Sequence, residues 1–214
     1  MTVWVVVVAA GGGRRFGGLK QFAEIGGRAL VDWSVDAARA VADGVVLVLP
    51  GATAEMSALG THGADVVIAG GSSRTQSVSL GLDAVPSEAD VIVVHDGARP
   101  LASAALFRAV VDAVTSGASA AVPGLAVADT VKRVDAGGDV TATLERDGLV
   151  TVQTPQAFRA DVLRAAHAGG AEATDDAALV EAQGATVRVV PGELRNLKVT
   201  TAADLDIIRA LAEQ

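Results

Sequence analysis

The most chemically loaded stretch of the chain lies near its start. It reads Ala9-Ala10-Gly11-Gly12-Gly13-Arg14-Arg15-Phe16-Gly17-Gly18-Leu19-Lys20-Gln21, with five glycines, three cationic side chains and no acid. Glycines let a backbone approach a ligand closely and turn its N–H groups toward it. Fixed N–H donors beside full positive charge suit a polyphosphate. Two common versions of such a loop do not fit. A dinucleotide fingerprint needs G-x-G-x-x-G, and Phe16 stands where the third glycine would be. The second apolar strand ends Val48-Leu49-Pro50, with no acid to hold a ribose hydroxyl. A P-loop needs Gly-Lys-Ser/Thr, whereas Leu19 precedes Lys20 and Gln21 follows it.

Three further groups of residues could do chemistry. His95-Asp96-Gly97-Ala98-Arg99-Pro100 closes an apolar run, Val91 to Val94. Asp96 is placed for a hard divalent cation such as Mg²⁺, which takes one or two protein carboxylates and fills its shell with phosphate and water. The competing role is an Asp–Arg ion pair that closes the turn. His95 reads as a neutral strand-end histidine, not a base. Gly70-Gly71-Ser72-Ser73-Arg74-Thr75-Gln76-Ser77 is a small polar turn; it serves either to cap a helix or to hold a ribose or base with backbone N–H groups and Ser77. Lys198, between Leu197 and Val199, is one of only three lysines. A charge there must be exposed at a sheet edge or paired with an anion.

The elements that must position these groups alternate. Val3–Val8 is all apolar, as expected of a strand covered on both faces. Leu30, Trp33, Ser34, Ala37, Ala38 and Val41 recur at helical spacing. Strands follow at 45–49, closed by Pro50-Gly51, and at 65–69, with a short helix over 54–59 between them. A helix over 74–84 is capped by Ser72 or Ser73, and a fourth strand covers 90–95. A helix over 101–114 leads to a fifth strand, 118–122, stopped by Pro123-Gly124. This βα alternation predicts a doubly wound, Rossmann-like α/β fold with a mainly parallel sheet. The segment 127–149 breaks the rhythm: two β-prone runs flank Gly137-Gly138, which makes a hairpin. A lone two-stranded ribbon is marginal in water, so its apolar residues need a cover, either another subunit or the hairpin's own domain. Beyond it come a strand at 149–153, helices over 159–167 and from Thr174-Asp175-Asp176 to Gln183, a strand at 186–190, a short strand at 196–200, and a final helix over 201–212 capped by Thr201 with Asp204. We read 1–214 as one domain with a hairpin arm at about 126–149.

Composition narrows the classes. Half of the 214 residues are apolar, enough for a sizeable core. There is no cysteine, hence no thiolate chemistry and no zinc–thiolate site. A net charge of −8 with few aromatics argues against a nucleic-acid partner. No apolar run approaches the ~20 residues of a membrane span, and the first strand lacks the basic flank of a signal peptide. The expectation is a cytoplasmic protein.

Taken together, Ala-Ala-Gly-x-Gly-x-Arg followed by Lys-Gln, Gly-Gly-x-x-Arg-x-x-Ser-Val, His-Asp-x-Ala-Arg-Pro, Asp-Thr-Val-Lys, Thr-Pro-Gln, Thr-Asp-Asp and Asn-x-Lys-Val-Thr resemble the 2-C-methyl-D-erythritol 4-phosphate cytidylyltransferases over nearly the whole chain. The resemblance implies CTP and a polyol phosphate as substrates, Mg²⁺ or another divalent cation as cofactor, and a homodimer formed through the arm. It implies that Arg15, Lys20 and Lys198 act on the α-phosphate, and that Ala9, Ala10, Gly11, Gly12, Gly71, Ser77 and Ala98 surround the nucleotide. Asp96 would hold the metal and Arg99 would order the loop around it. Thr130 and Arg146 on the arm would reach the polyol phosphate in a neighbouring subunit's site, joined there by Arg99, Thr154 and Thr174. Three departures stand out: a short loop between Arg15 and Lys20, Ser72 where some members have Asp, and Arg195 where an acid is sometimes found. Rival readings are a ribitol 5-phosphate cytidylyltransferase, a nicotinamide-binding oxidoreductase and a non-catalytic nucleotide sensor.

Overall fold

A computed structural model describes residues 1–13, 15–51 and 60–213. The helix expected over 54–59 lies outside the described residues, as does Arg14. The centre of the fold is four parallel strands: β1 (Val3–Val8), β4 (Gly44–Leu49), β5 (Val66–Ala69) and β6 (Val91–Asp96). They run β6-β1-β4-β5, with Val8 level with both Val48 and Asp96. The chain therefore winds outward in one direction after β1 and in the other at β6. Such a switch of strand order opens a crevice at the carboxyl ends of the strands, between β1 and β6.

Strand alternation builds two cores. Odd-numbered residues of the central strands (Val5, Val7, Val45, Leu47, Val91, Val93) face α1 (Leu30–Arg39) and α3 (Ala104–Thr115). Even-numbered ones (Val6, Val46, Val48, Ile92, Val94) face α2 (Arg74–Asp83), α4 (Ala160–Ala168) and α5 (Asp176–Ala182). Each strand is apolar on both faces because each face is covered by helices. A third cluster joins α6 (Ala202–Ala212) to the short ribbon of β2 (Glu24–Ile25) and β3 (Arg28–Ala29) through Ile25, Leu30, Val199, Leu205 and Ile208. The caps follow the sequence: Ser73, Ser103 and Asp175 each accept from a first-turn N–H, and Thr201 with Asp204 forms a capping box.

Three expectations need correction. Pro123-Gly124 does not stop the fifth strand, since β7 runs Ala120–Ala126. The proline carbonyl still accepts from Gln153 N–H and the Gly124 carbonyl from Gly192 N–H, so pairing continues on both sides. The helix placed from 159 is preceded by a strand, β11 (Gln156–Arg159), inserted antiparallel between β6 and β7. With β10 (Val150–Val152), also antiparallel to β7, it gives the otherwise parallel sheet an antiparallel flank; β12 (Val187–Pro191) lies parallel on the far side of β7. The stretch 196–200 is not a strand. It is held instead by Asn196, which is fully buried and donates to the Thr154 carbonyl.

The hairpin forms as expected. β8 (Val131–Val134) and β9 (Val140–Leu144) pair with each other and with no other strand among the described residues. Asp135 closes its turn by accepting from Gly137 N–H and Asp139 N–H. Val134 and Val140 are exposed in the chain.

The last two residues of β6 point to opposite sides of the sheet. His95 is fully buried, with its ring 4.9 Å from that of Phe107. Its Nε2 faces the Arg99 carbonyl at 3.2 Å, which can only accept, so Nε2 carries the proton. Its Nδ1 then accepts from the Thr154 hydroxyl at 3.2 Å, and that hydroxyl accepts from Asp96 N–H at 3.0 Å. Every polar atom is used only if the ring is neutral. Burial, with Arg99 opposing protonation against the pull of Asp96, pushes the imidazole down to about 4. The folded state thus binds fewer protons than the unfolded chain between about pH 6.5 and 4, and stability falls as pH drops through that window. We expect a loss of roughly 3 kcal/mol from pH 7 to pH 4. Urea unfolding of wild type and His95→Gln across this range checks it; equal slopes in both would clear His95 as the source.

Candidate active site

The glycine loop leaves β1 at the switch point and is tied on both flanks. Ala9 N–H donates to the Val48 carbonyl, and Gly97 N–H to the Val8 carbonyl. Gly13, at φ +62°, then turns the chain back so that the N–H groups of Phe16 and Gly17 reach its carbonyl, both at 2.9 Å. A side chain there would meet the Gly18 carbonyl oxygen at 1.7 Å, so only glycine closes this turn. The turn delivers a 3-10 segment, Lys20–Phe22, whose first residue anchors by donating from Nζ to the Val199 carbonyl at 2.6 Å.

Beside the loop lies an open cleft of about 270 Å³. Of the residues singled out in the sequence, Ala9, Ala10, Gly11, Gly12, Lys20, Gly71, Ser77, Asp96, Ala98 and Lys198 line it. The loop, the 70–77 turn, the end of β6 and the 196–200 stretch therefore meet in one place. Ser77 braces its own turn: its hydroxyl donates to the Ser73 carbonyl and accepts from Gly71 N–H. Ser72 is likewise engaged, with N–H and hydroxyl both donating to Gln76 Oε1.

Asp96 is the electrostatic centre. Its carboxylate lies 2.7 Å from Lys198 Nζ, accepts from Arg74 Nε at 3.4 Å and stands 3.8 Å from Arg99 Nε. Burial alone would push this acid up; Lys198, Arg74 and Arg99 outweigh it and hold it well below the usual carboxylate range. Lys198 is thus paired with an anion and is no free edge lysine. Lys20 shows the opposite balance. Burial pushes its ammonium down, and the neighbouring charges of Lys198 and Arg15 push the same way against Asp96 and Asp204. The cleft carries more cation than its one carboxylate offsets.

The remaining sequence candidates sit elsewhere. Arg15 is exposed on the turn and does not line the cleft, though its charge is felt at Lys20. Arg99 is mostly buried behind it and donates to the Asn196 carbonyl at 2.8 Å, which fixes the stretch carrying Lys198. Thr154 is buried and its hydroxyl is spent on Asp96 N–H and His95. Thr174 is exposed ahead of α5. Thr130 and Arg146 are exposed at the hairpin and do not line their own chain's cleft; Arg146 donates to the Ala128 carbonyl. Arg195, by contrast, donates to the Leu211 carbonyl at the end of α6. The cleft also takes in Arg74 and Gln21, to which the sequence assigns no role. Arg74 reaches Asp96, and Gln21 is buried at the cleft wall with its Nε2 unpartnered. Both stand inside motifs already noted, Gly-Gly-x-x-Arg and Lys-Gln, and that was their only signal.

An Asp96 carboxylate that stays ionised, with oxygens at the cleft, suits a hard cation that keeps most of its shell for substrate oxygens. Among the described residues no group of three or more His, Asp or Glu side chains could hold a metal unaided. No helix among them is long and apolar enough to cross a membrane.

Comparison with known proteins agrees with this arrangement. A curated 2-C-methyl-D-erythritol 4-phosphate cytidylyltransferase of Rhodococcus jostii is 43% identical over 217 residues, covering 99% of this chain and 96% of that protein. A bifunctional IspD/IspF enzyme of Clavibacter michiganensis is 46% identical over 213 residues; the match covers 94% of this chain and spans 52% of that protein's length. Among solved structures, the 2-C-methyl-D-erythritol 4-phosphate cytidylyltransferase of Thermus thermophilus superposes with a TM-score of 0.81 at 35% identity, covering 98% of each chain. The 4-diphosphocytidyl-2C-methyl-D-erythritol synthase of Anaerococcus prevotii superposes with a TM-score of 0.86 at 28% identity, covering 100% of this chain and 96% of the other. The family model for 2-C-methyl-D-erythritol 4-phosphate cytidylyltransferase matches residues 3–214, and the chain belongs to that family.

Proposed function

We propose that this chain transfers CMP from CTP to 2-C-methyl-D-erythritol 4-phosphate, releasing pyrophosphate and giving 4-diphosphocytidyl-2-C-methyl-D-erythritol for isoprenoid precursor synthesis. The observation that carries the reading is the cationic cleft at the switch point, in a chain matched to the family over almost its whole length. An oxygen of the acceptor phosphate attacks the α-phosphorus of CTP. The bond from that phosphorus to the bridging oxygen of the β-phosphate breaks, and its electron pair leaves with pyrophosphate. The nucleophile is a phosphate monoester whose second pKa is ~6, so it is already largely dianionic at neutral pH. No residue need take a proton from it. That suits a cleft whose nearest histidine is buried, neutral and fully hydrogen-bonded.

The difficulty is bringing two anions together. Lys20 and Lys198, with the charge of Arg15 close by, are set against the α-phosphate and the charge that grows on it during transfer. The small residues Ala9, Ala10, Gly11, Gly12, Gly71 and Ala98 leave room for the cytidine, with Ser77 bracing the far wall. Asp96 would hold Mg²⁺ or another divalent cation together with triphosphate oxygens; such an ion neutralises phosphate charge when bound. The hairpin supports a homodimer, because its apolar Val134 and Val140 are exposed within one chain. Thr130 and Arg146 would then complete the acceptor site of a neighbouring subunit. The locale we propose is the cytoplasm.

Pyrophosphate release, measured with CTP, ATP, GTP and UTP against 2-C-methyl-D-erythritol 4-phosphate and ribitol 5-phosphate, tests the reaction. Turnover with CTP and the first acceptor is expected, and preference for ribitol 5-phosphate would overturn the acceptor assignment. Lys20→Ala or Arg15→Ala should cut kcat by ~10²–10³ while changing CTP affinity much less. Equal losses in both quantities would remove the transition-state role. Arg146→Ala should chiefly raise KM for the acceptor. Mixing it with Lys20→Ala protein should restore part of the activity, since one cleft of a mixed dimer would then be intact; no recovery would place the arm outside the neighbour's site.

A further inference from the structure

Behind the cleft stands a carboxylate that the reaction does not call for. Asp176 opens α5, lies 1% exposed and lines no part of the cleft. One of its oxygens faces His167 Nε2 at 3.1 Å, the other the Arg74 Nη1 at 2.8 Å. His167 is buried as well. Arg74 sits in the first turn of α2 and does line the cleft, and its Nε reaches Asp96 at the longer distance of 3.4 Å. One guanidinium therefore bridges a carboxylate behind the wall and a carboxylate within the cleft: the rear contact is the closer ion pair, although Asp176 Oδ2 accepts no hydrogen bond, and the longer contact to Asp96 is a hydrogen bond. A buried acid beside an arginine is costly to keep unless both are paired and hydrogen-bonded. A core position at the start of α5 could have been filled by an apolar residue, as its neighbours Ala177, Leu179 and Val180 are.

We propose that Asp176 is a positioning residue for nucleotide binding: it holds the Arg74 guanidinium back against the rear wall, so that Arg74 shares Asp96 without capturing it. Asp96 is then pinned between Arg74 and Lys198 in one orientation, with its charge available to the nucleotide's cation. Released from Asp176, the planar fork of Arg74 would close on the Asp96 carboxylate in a bidentate pair, the geometry that arginine and carboxylate favour. This rests on the reading of the cleft as the CTP site.

The sign of the effect separates positioning from plain electrostatics. Deleting a negative charge beside a triphosphate site should tighten anion binding. Positioning demands the reverse. Calorimetric titration of Mg²⁺–CTP into the folded protein, with thermal melts as a control, should show Asp176→Asn weakening binding about 10- to 100-fold, the usual scale for a group that orients a ligand-holding residue. Because Asp176 would act through Arg74, the double variant Asp176→Asn/Arg74→Gln should bind CTP no worse than Arg74→Gln alone. Unchanged or tighter binding by Asp176→Asn, or losses that simply add, would overturn the proposal. Should Asp176→Asn not fold, Arg74→Lys tests the same claim from the other side. Lysine offers a single nitrogen in place of the separate Nη1 and Nε that reach Asp176 and Asp96, so the same weakening is expected, and wild-type affinity would refute the role. If the wild type itself binds no CTP, the cleft reading fails first; if it binds and the variants bind as tightly, the positioning claim alone falls.

Discussion

The structure turns on one buried carboxylate. Asp96 ends the central strand of the sheet's switch point, where a lone ionised acid would be costly. It is kept ionised by Lys198, Arg74 and Arg99, and these come from three separate parts of the chain. The ion pairs therefore do more than balance charge. They fix the start of α2 and the 196–200 stretch against the end of β6, and so close the cleft on three sides. The last stretch has no ladder of its own; Val199 N–H donates to the Ala98 carbonyl, Lys20, Arg99 and Asn196 add side-chain hydrogen bonds, and Lys198 links it to Asp96. Loss of Asp96 would leave Lys198 and Arg99 without their carboxylate and Arg74 with Asp176 alone.

The cleft is not electrically satisfied even with Asp96 in place. Lys20 is pushed down by burial and by its cationic neighbours, which means that its charge is held there at a cost. A phosphate entering the cleft would relieve that strain. Such sites trade stability for function, because the donors are fixed before the charge they serve arrives. The glycine loop belongs to the same arrangement: Gly11 and Gly12 line the cleft and keep backbone rather than side chains at its rim.

What could be read from the sequence was local. Strand alternation, the caps at Ser73 and Thr201 and the hairpin around Asp135–Asp139 all depend on residues a few positions apart, and each formed as expected. The misreadings have a common cause. β11 is four residues long and is a strand only because β6 and β7 flank it. Pro123 remains in a strand because its neighbours pair around it. Residues 196–200 look like a strand by composition but are held by buried side chains from far along the chain. The partnership of Arg74 with Asp176 spans about a hundred residues and leaves no periodicity to find. Thr154, which the resemblance places near the acceptor, is buried with its hydroxyl turned inward to the backbone of Asp96.

That inward turn explains why a histidine beside the central aspartate takes no part in proton transfer. His95 donates to the Arg99 carbonyl and accepts from Thr154, which in turn accepts from Asp96 N–H. The three bonds have a single consistent direction, and it fails if the ring gains a proton, since Nδ1 could no longer accept. A base placed here would have to give up the bonds that aim Asp96. The reaction spares the site that conflict, because a phosphate nucleophile arrives with its proton already lost at neutral pH. Polar groups that another enzyme would devote to acid–base chemistry are free to serve as a rigid mount. The chemistry is left to positive charge and placement, which is what the Asp96 network provides.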